Sequence, residues 1–242
     1  MTLQIALLGS DGVLIASDTR KLTTRYDEKT KKEIDVFEHE DKITLSALKT
    51  VAAAWSGFMP SAPFLTSVAN LFEEKWQSSD PQLKDLWEKE KSLRQDDAVD
   101  CRLLIAKSNK REVYKVWLSR DSMRTTRNLE SHILEGLPNG HETNSACFFT
   151  QRYAPKEPVP IENLVRWAAY YILMGGEINS SGIDGLVIYL SKTKGIFRRI
   201  SETKILQLMK ESNHLDQLIS GFLFMSIHES CPAFPQFPTR DP

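Results

Sequence analysis

The stretch that most constrains what this chain can fold into is its beginning, M-T-L-Q-I-A-L-L-G-S-D-G-V-L-I-A-S-D-T-R. Two apolar runs, Leu3–Leu8 and Val13–Ala16, flank Gly9-Ser10-Asp11-Gly12. Short apolar runs broken by an Asp-Gly turn predict a β-hairpin. The second run passes directly into Ser17-Asp18-Thr19-Arg20, a charged and hydrogen-bonding cluster at the end of a strand. The chain reaches its first strand with no leader, so loss of Met1 is expected to leave Thr2 at the lip of the sheet.

A threonine in that place has a chemistry open to it. Its hydroxyl is a poor nucleophile unless a base accepts the proton in the transition state. A free α-amino group, with an ordinary pKa of about 7.7–8.0, is partly neutral near physiological pH. One residue then carries both nucleophile and base, with or without a bridging water. A nearby cation favours the deprotonated states, and an acid holds that cation in place. Asp18 and a lysine from elsewhere would serve. Without such neighbours, a hydrophilic residue near a chain end is an ordinary surface residue.

Residues 2–20 resemble the start of a mature proteasome β subunit, an N-terminal-nucleophile hydrolase, with the homologue described from betaproteobacteria as the nearest branch. In that family a threonine opens the first strand, and the second strand ends in Ala-x-Asp-x-Arg. Ala16-Ser17-Asp18-Thr19-Arg20 reproduces that ending at the family's distance from Thr2. Asp41-Lys42-Ile43 and Ala54-Trp55-Ser56-Gly57 match, in order, the family's lysine before an apolar strand and its glycine-containing turn into a helix. The resemblance covers most of the chain in pattern, and its specific motifs lie in the first sixty residues.

Composition bounds the alternatives. The chain has 242 residues, 41% of them hydrophobic, which suits a globular protein with a sizeable core. Its net charge of −1, with 31 basic and 32 acidic side chains interspersed, gives no case for nucleic acid or an anionic membrane as partner. Neither a signal peptide nor an apolar run of membrane-spanning length is present. Cys101, Cys147 and Cys231 form no pairing pattern, as expected of reduced thiols in the cytoplasm. The five histidines show no metal-ligand spacing, and there is no phosphate-binding glycine loop or Gly-x-Ser-x-Gly turn, so no cofactor or metal is expected.

The remaining elements follow from periodicity and punctuation. Lys21–Glu40 is dense in charge and predicts an enlarged surface hairpin or loop. Val51–Trp55 reads as a strand ended by Ser56-Gly57. Phe64/Leu65, Val68, Leu71/Phe72 and Lys75/Trp76 predict one helix. Asp80-Pro81 starts another, with Leu83, Leu86/Trp87 and Leu93 as its apolar stripe and its charges toward solvent. Cys101–Ala106 and Val113–Leu118 predict a hairpin, whereas the polar stretch Ser119–Glu135 has no clear assignment. Ile161–Met174 predicts a helix ended by Gly175-Gly176. Gly185–Leu190 and Ile196–Ile200 predict a last hairpin, followed by helices over Glu202–Met209 and Leu215–Ile227. Cys231–Pro242 carries four prolines and is expected to be a disordered end or an extended arm.

That order of elements fits an α+β fold, a four-layer αββα sandwich of two antiparallel sheets flanked by helices. Residues 1–230 read as one domain of this kind and 231–242 as a proline-rich tail. The resemblance implies a threonine peptidase with Thr2 as nucleophile and its amine as base. Lys42 would supply positive charge, Asp18 would hold Lys42, and the Gly57 N–H would receive the oxyanion. Thr143-Asn144-Ser145-Ala146 resembles the family's serine turn without its two glycines, so Ser145 is its counterpart by position. Glu177 with Ser180, or Ile178 with Ser181, would orient the amine. Glu177 is preferred as the acid, and Ser181 is kept because it precedes Gly182. Kinship further implies stacked rings, a homo-tetradecamer of two heptamers enclosing the sites, with peptides or unfolded protein as substrate. Two other readings stay open: the same chemistry on a non-peptide amide, and a ring-forming subunit without activity.

Overall fold

A computed structural model of the chain describes residues 3–27, 29, 31–57, 59–74, 81–93, 100–128, 132–135, 155, 157–177 and 185–223. The expected hairpin opens it: β1 (Gln4–Leu8) and β2 (Gly12–Asp18) pair antiparallel from Leu8↔Val13 to Gln4↔Ser17. The charged stretch after them is a two-stranded ribbon, β3 (Arg20–Asp27) with β4 (Lys32–His39). Next come β5 (Ile43–Leu45), β6 (Val51–Gly57), α1 (Ala62–Glu73) and α2 (Pro81–Ser92). Then follow β7 (Cys101–Lys107), β8 (Glu112–Leu118), β9 (Met123–Asn128) and β10 (His132–Glu135). A 3-10 turn (Ile161–Asn163) leads into α3 (Leu164–Glu177), before β11 (Leu186–Lys192), β12 (Arg198–Arg199) and α4 (Glu202–Leu223).

The strands build two five-stranded antiparallel sheets, ordered β10-β1-β2-β11-β12 and β5-β6-β7-β8-β9. Antiparallel sheets commonly leave one face to water. Here neither does, and strand alternation shows why. Leu3, Ile5, Leu7, Leu14, Ala16 and Ile188 face α3 and α4, whereas Ala6, Leu8, Val13, Ile15 and Val187 face the other sheet. On the second sheet Ala53, Trp55, Leu103 and Ile105 face α1 and α2, and Ala52, Ala54, Leu104 and Ala106 face back to the first. Three apolar layers therefore separate four layers of backbone, the αββα sandwich. Four alanines, each wholly buried, stand in the middle layer, and their small side chains let the sheets approach closely.

Several elements differ from what periodicity predicts. Residues 119–135 hold two strands, and they join different sheets: β9 pairs with β8, and β10 with β1. Their polar sequence conceals them because edge strands need little apolar surface. α1 ends at Glu73, short of Lys75 and Trp76, which lie outside the described residues. In α2 the stripe turns: Leu93 is 78% exposed, while Glu90 is 3% exposed. Glu90 faces inward because its carboxylate accepts from the Ser61 N–H and hydroxyl at 2.7 and 2.6 Å, at the N-cap of α1. α3 runs through Gly175-Gly176 to Glu177 rather than ending at them, and the two terminal helices are one continuous α4. The tail, 231–242, lies outside the described residues. No described helix is long and apolar enough to cross a membrane.

The two ends of the sandwich are unlike. At the end carrying the inter-strand turns, hydrogen bonds tie the sheets together. Arg111 donates to the Ser10 carbonyl at 2.7 Å, Ser108 to the Gly195 carbonyl at 2.6 Å, and the Phe197 N–H to the Lys49 carbonyl at 2.7 Å. Glu73 adds to this knot. Burial pushes its carboxyl up, but hydrogen bonds from Ser46, Thr50 and the Leu48 and Thr50 N–H groups outweigh that and hold it below the usual carboxylate range. The other end carries Leu3, Asp18, Lys42 and Gly57.

The close approach of the sheets is testable. Ala54→Leu should cost about 1–3 kcal/mol through overpacking of the middle layer. Leu206→Ser, at a position 59% exposed, should stay within about 0.5 kcal/mol. Urea midpoints at unchanged slope measure both, and equal midpoints would refute a close-packed middle layer.

Candidate active site

Asp18 is the last residue of β2, where the strand carries it to the edge of the inter-sheet space. Its carboxylate takes two donors. The Leu3 N–H donates to Oδ1 at 2.7 Å, and the Lys42 ammonium donates to Oδ2 at 2.7 Å. The Asp18 N–H in turn donates to the Leu3 carbonyl at 3.1 Å, so Leu3 and Asp18 hold each other from both sides. The Lys42 and Asp18 side chains are 1% and 4% exposed. Two charges taken out of water cost several kcal/mol each and persist only when paired and hydrogen-bonded. That requirement is met here.

Lys42 reaches this position because it stands between the ribbon and β5. The Glu40 N–H donates to the Thr19 carbonyl at 2.8 Å, which returns the chain from the ribbon to the end of β2. The Trp55 N–H then donates to the Lys42 carbonyl at 3.3 Å, which starts the β5–β6 pairing. Burial lowers the pKa of the Lys42 ammonium below its ordinary 10.5, although Asp18, by charge and hydrogen bond, and Glu40 pull it back up. The ammonium is therefore a buried cation bonded to a carboxylate. It can bias the protonation of any group placed beside it.

Gly57 closes β6 at the same end, opposite Cys101 of β7. Its φ of +84° lies in the left-handed region, and a Cβ there would stand 2.5 Å from the Asp100 carbonyl oxygen. Only glycine fits both conditions. Near it the inter-sheet face becomes polar: Gln4 donates to the Trp55 carbonyl, and Ser17 to the Asp18 carbonyl.

Of the residues singled out from the sequence, the structure brings Asp18 and Lys42 into contact and sets Gly57 at the same end. Glu177 is the last residue of α3, within the helix rather than in the loop after it. Thr2, Ser145 and Ser181 lie outside the described residues. Sequence reasoning missed the Leu3 amide, because a backbone donor leaves no mark in composition. Among the described residues no group of three or more His, Cys, Asp or Glu side chains could hold a metal ion.

Replacing Lys42 by Met should cost about 3–5 kcal/mol, because it leaves Asp18 buried without its cation. Asp18→Asn in the same molecule should recover much of that loss. Denaturant unfolding of Lys42→Met, Asp18→Asn and the double variant checks this, and strictly additive losses would contradict it. The pH dependence has a definite sign. Between its lowered folded pKa and 10.5 the unfolded chain binds more protons at Lys42 than the folded one. Stability from this group therefore rises with pH through that window, and the burial penalty is fully present below it. Lys42→Met should lose this rise.

No protein-family profile matches the chain, and no curated protein matches it in sequence. Solved structures do match in fold. Anbu (ancestral beta-subunit) from Yersinia bercovieri superposes with a TM-score of 0.60 at 12% identity, over 94% of this chain and 99% of that one. The Gly-1 mutant of Anbu from Hyphomicrobium sp. strain MC1 gives 0.58 at 11% identity, over 95% and 100%. The Anbu complex from Pseudomonas aeruginosa, a helical assembly, gives 0.57 at 13% identity, over 91% and 96%. These overturn the expectation of a proteasome β subunit nearest the betaproteobacterial homologue: the neighbours in fold are Anbu chains, and no proteasome profile recognises the sequence. The resemblance rested on the opening hairpin, the lysine strand and the glycine turn at 54–57, whereas the superposition spans 94% of the chain. The fold is the four-layer sandwich of N-terminal-nucleophile hydrolases, shared with Anbu.

Proposed function

We propose that this chain is a threonine peptidase that hydrolyses peptide bonds with Thr2 as nucleophile. The observation that carries the reading is the Asp18 carboxylate, which joins the Leu3 amide to the buried Lys42 ammonium. Leu3 is one peptide bond from Thr2, so the charge pair is anchored beside that residue along the chain. A lone buried ion pair contributes little to stability, and a cation brought to this end of the sandwich has a use in activating a hydroxyl and an amine.

In this reading Met1 is removed and the Thr2 amine is free. The amine takes the hydroxyl proton as the Thr2 oxygen attacks the scissile carbonyl carbon. Lys42 favours the neutral amine and the developing alkoxide, and Asp18 fixes Lys42. The Gly57 N–H receives the oxyanion of the tetrahedral intermediate. Collapse breaks the C–N bond, the amine's proton goes to the leaving nitrogen, and an ester remains on Thr2. Water then attacks that ester and restores the hydroxyl. Ser145, Glu177 and Ser181 orient the Thr2 amine.

Self-association belongs to the same proposal. The helical assembly named for the Pseudomonas aeruginosa Anbu complex supports it, and two stacked heptameric rings are one form it could take. Peptides or unfolded chains entering such an enclosure are the substrates.

The test is intact mass with N-terminal sequencing after treatment with a peptide epoxyketone, which needs the hydroxyl and the free amine of one residue. The expected outcome is an adduct on mature Thr2 that is absent in Thr2→Ala, and slowed on the order of a hundredfold or more in Lys42→Ala. Its rate should rise with pH to a midpoint below about 8, since a neighbouring cation lowers the pKa of the amine. Mature Thr2 without adduct would sink the proposal.

A further inference from the structure

Beside Asp18–Lys42, a further side-chain pair links the two sheets from the entry to β5. It involves Asp41, the residue before Lys42. Its Oδ1 accepts from the Ile43 N–H at 3.0 Å, which closes a turn around Lys42. Its Oδ2 accepts from the Tyr189 hydroxyl at 3.0 Å and lies 3.6 Å from Nη1 of Arg199. Tyr189 belongs to β11, where it pairs with Ile15 of β2 on one side and Arg199 of β12 on the other. The residues that grip Asp41 are thus built into the sheet whose strand β2 ends at Asp18.

We propose that Asp41 is a positioning residue for Lys42, clamped by Tyr189 and Arg199 of the opposite sheet. The proposal rests on the reading of Lys42 as the cation beside Thr2. A lysine ammonium hangs on four rotatable bonds, so its place 2.7 Å from Asp18 depends on where its Cα is held. Three bonds hold that backbone: the Asp41–Ile43 turn before and after it, the Trp55 N–H on its carbonyl, and the Asp41–Tyr189 link across the sheets. Tyr189→Asp41 and Lys42→Asp18 both tie the entry to β5 to the first sheet. The Asp41 side chain is 30% exposed and is itself faced by Arg199, so it acts through its hydrogen bonds rather than as a bare charge. Burial, then the Asp41 carboxylate, push the Tyr189 phenol up to about 12, which keeps it a donor throughout the neutral range.

The experiment measures epoxyketone inactivation of Thr2 by intact mass in the wild type, Y189F, D41N and D41A, each shown folded by circular dichroism. Asp41→Ala should lower kinact on the order of tenfold with KI unchanged, because a misplaced activating group slows chemistry without touching binding. Asp41→Asn keeps an oxygen to accept from the Ile43 N–H and offers an amide N–H that the Tyr189 hydroxyl, turned about, can accept, and should restore most of the rate. Tyr189→Phe should lose about two- to threefold. An unchanged kinact in D41A, or D41N as slow as D41A, overturns the proposal. A cycle of D41A with K42M, read as denaturation midpoints, decides independently of activity: non-additive losses support the positioning role and additive ones refute it. A wild type that shows no adduct on a free-amine Thr2 sinks the peptidase reading, and the cycle then decides on Asp41 alone.

Discussion

The arrangement at the end that carries Leu3 and Gly57 depends on one interaction, the buried pair of Asp18 and Lys42. A carboxylate and an ammonium both nearly excluded from water impose conditions on everything around them. The end of β2 must meet the entry to β5, so the two sheets must stack with that separation and that register. The ribbon β3–β4 must fold back on itself so that the Glu40 amide returns to the Thr19 carbonyl. The Leu3 amide must take up the second carboxylate oxygen, which fixes the start of β1. Each condition is local, and together they place one cation at the head of the chain.

Such a site needs a rigid frame, and the opposite end supplies it. There the turns at 46–50, 108–111 and 192–197 exchange backbone and hydroxyl hydrogen bonds across the sheets, and Glu73 pins one of them to α1. With that end knotted, the alanine-lined middle layer closes between it and the end that carries Asp18 and Lys42. The buried ion pair at the other end is tolerated because it is paired and hydrogen-bonded. The likeness to Anbu at 11–13% identity reflects this frame, which many sequences can build.

Much of the fold was legible in the order of residues. The Asp-Gly hairpin, the apolar strands and the helix starting at Pro81 follow from local rules, and their succession implies the layers. The misreadings have separate physical causes. Leu93 and Glu90 exchanged places because a hydrogen bond to the Ser61 cap, invisible in one dimension, outweighs hydrophobic patterning. β9 and β10 were hidden because strands at sheet edges carry little of the apolar signal. Helix α3 runs past Gly175-Gly176 because glycine lowers helix propensity without forbidding the helix.

For the candidate site, sequence by itself determined which side chains are available: an acid closing the second strand, a lysine preceding the fifth, a glycine ending the sixth. Strand ends and glycine turns are properties of neighbours along the chain, whereas Lys42 stood out from the other lysines only through the family resemblance. Only the tertiary structure decided that Asp18 and Lys42, 24 positions apart, lie 2.7 Å from each other out of water. It also decided that Asp41 and Tyr189, 148 positions apart, form a further link beside them. Such pairings depend on how two sheets stack, and stacking is fixed by the sum of side-chain volumes in the layer between them.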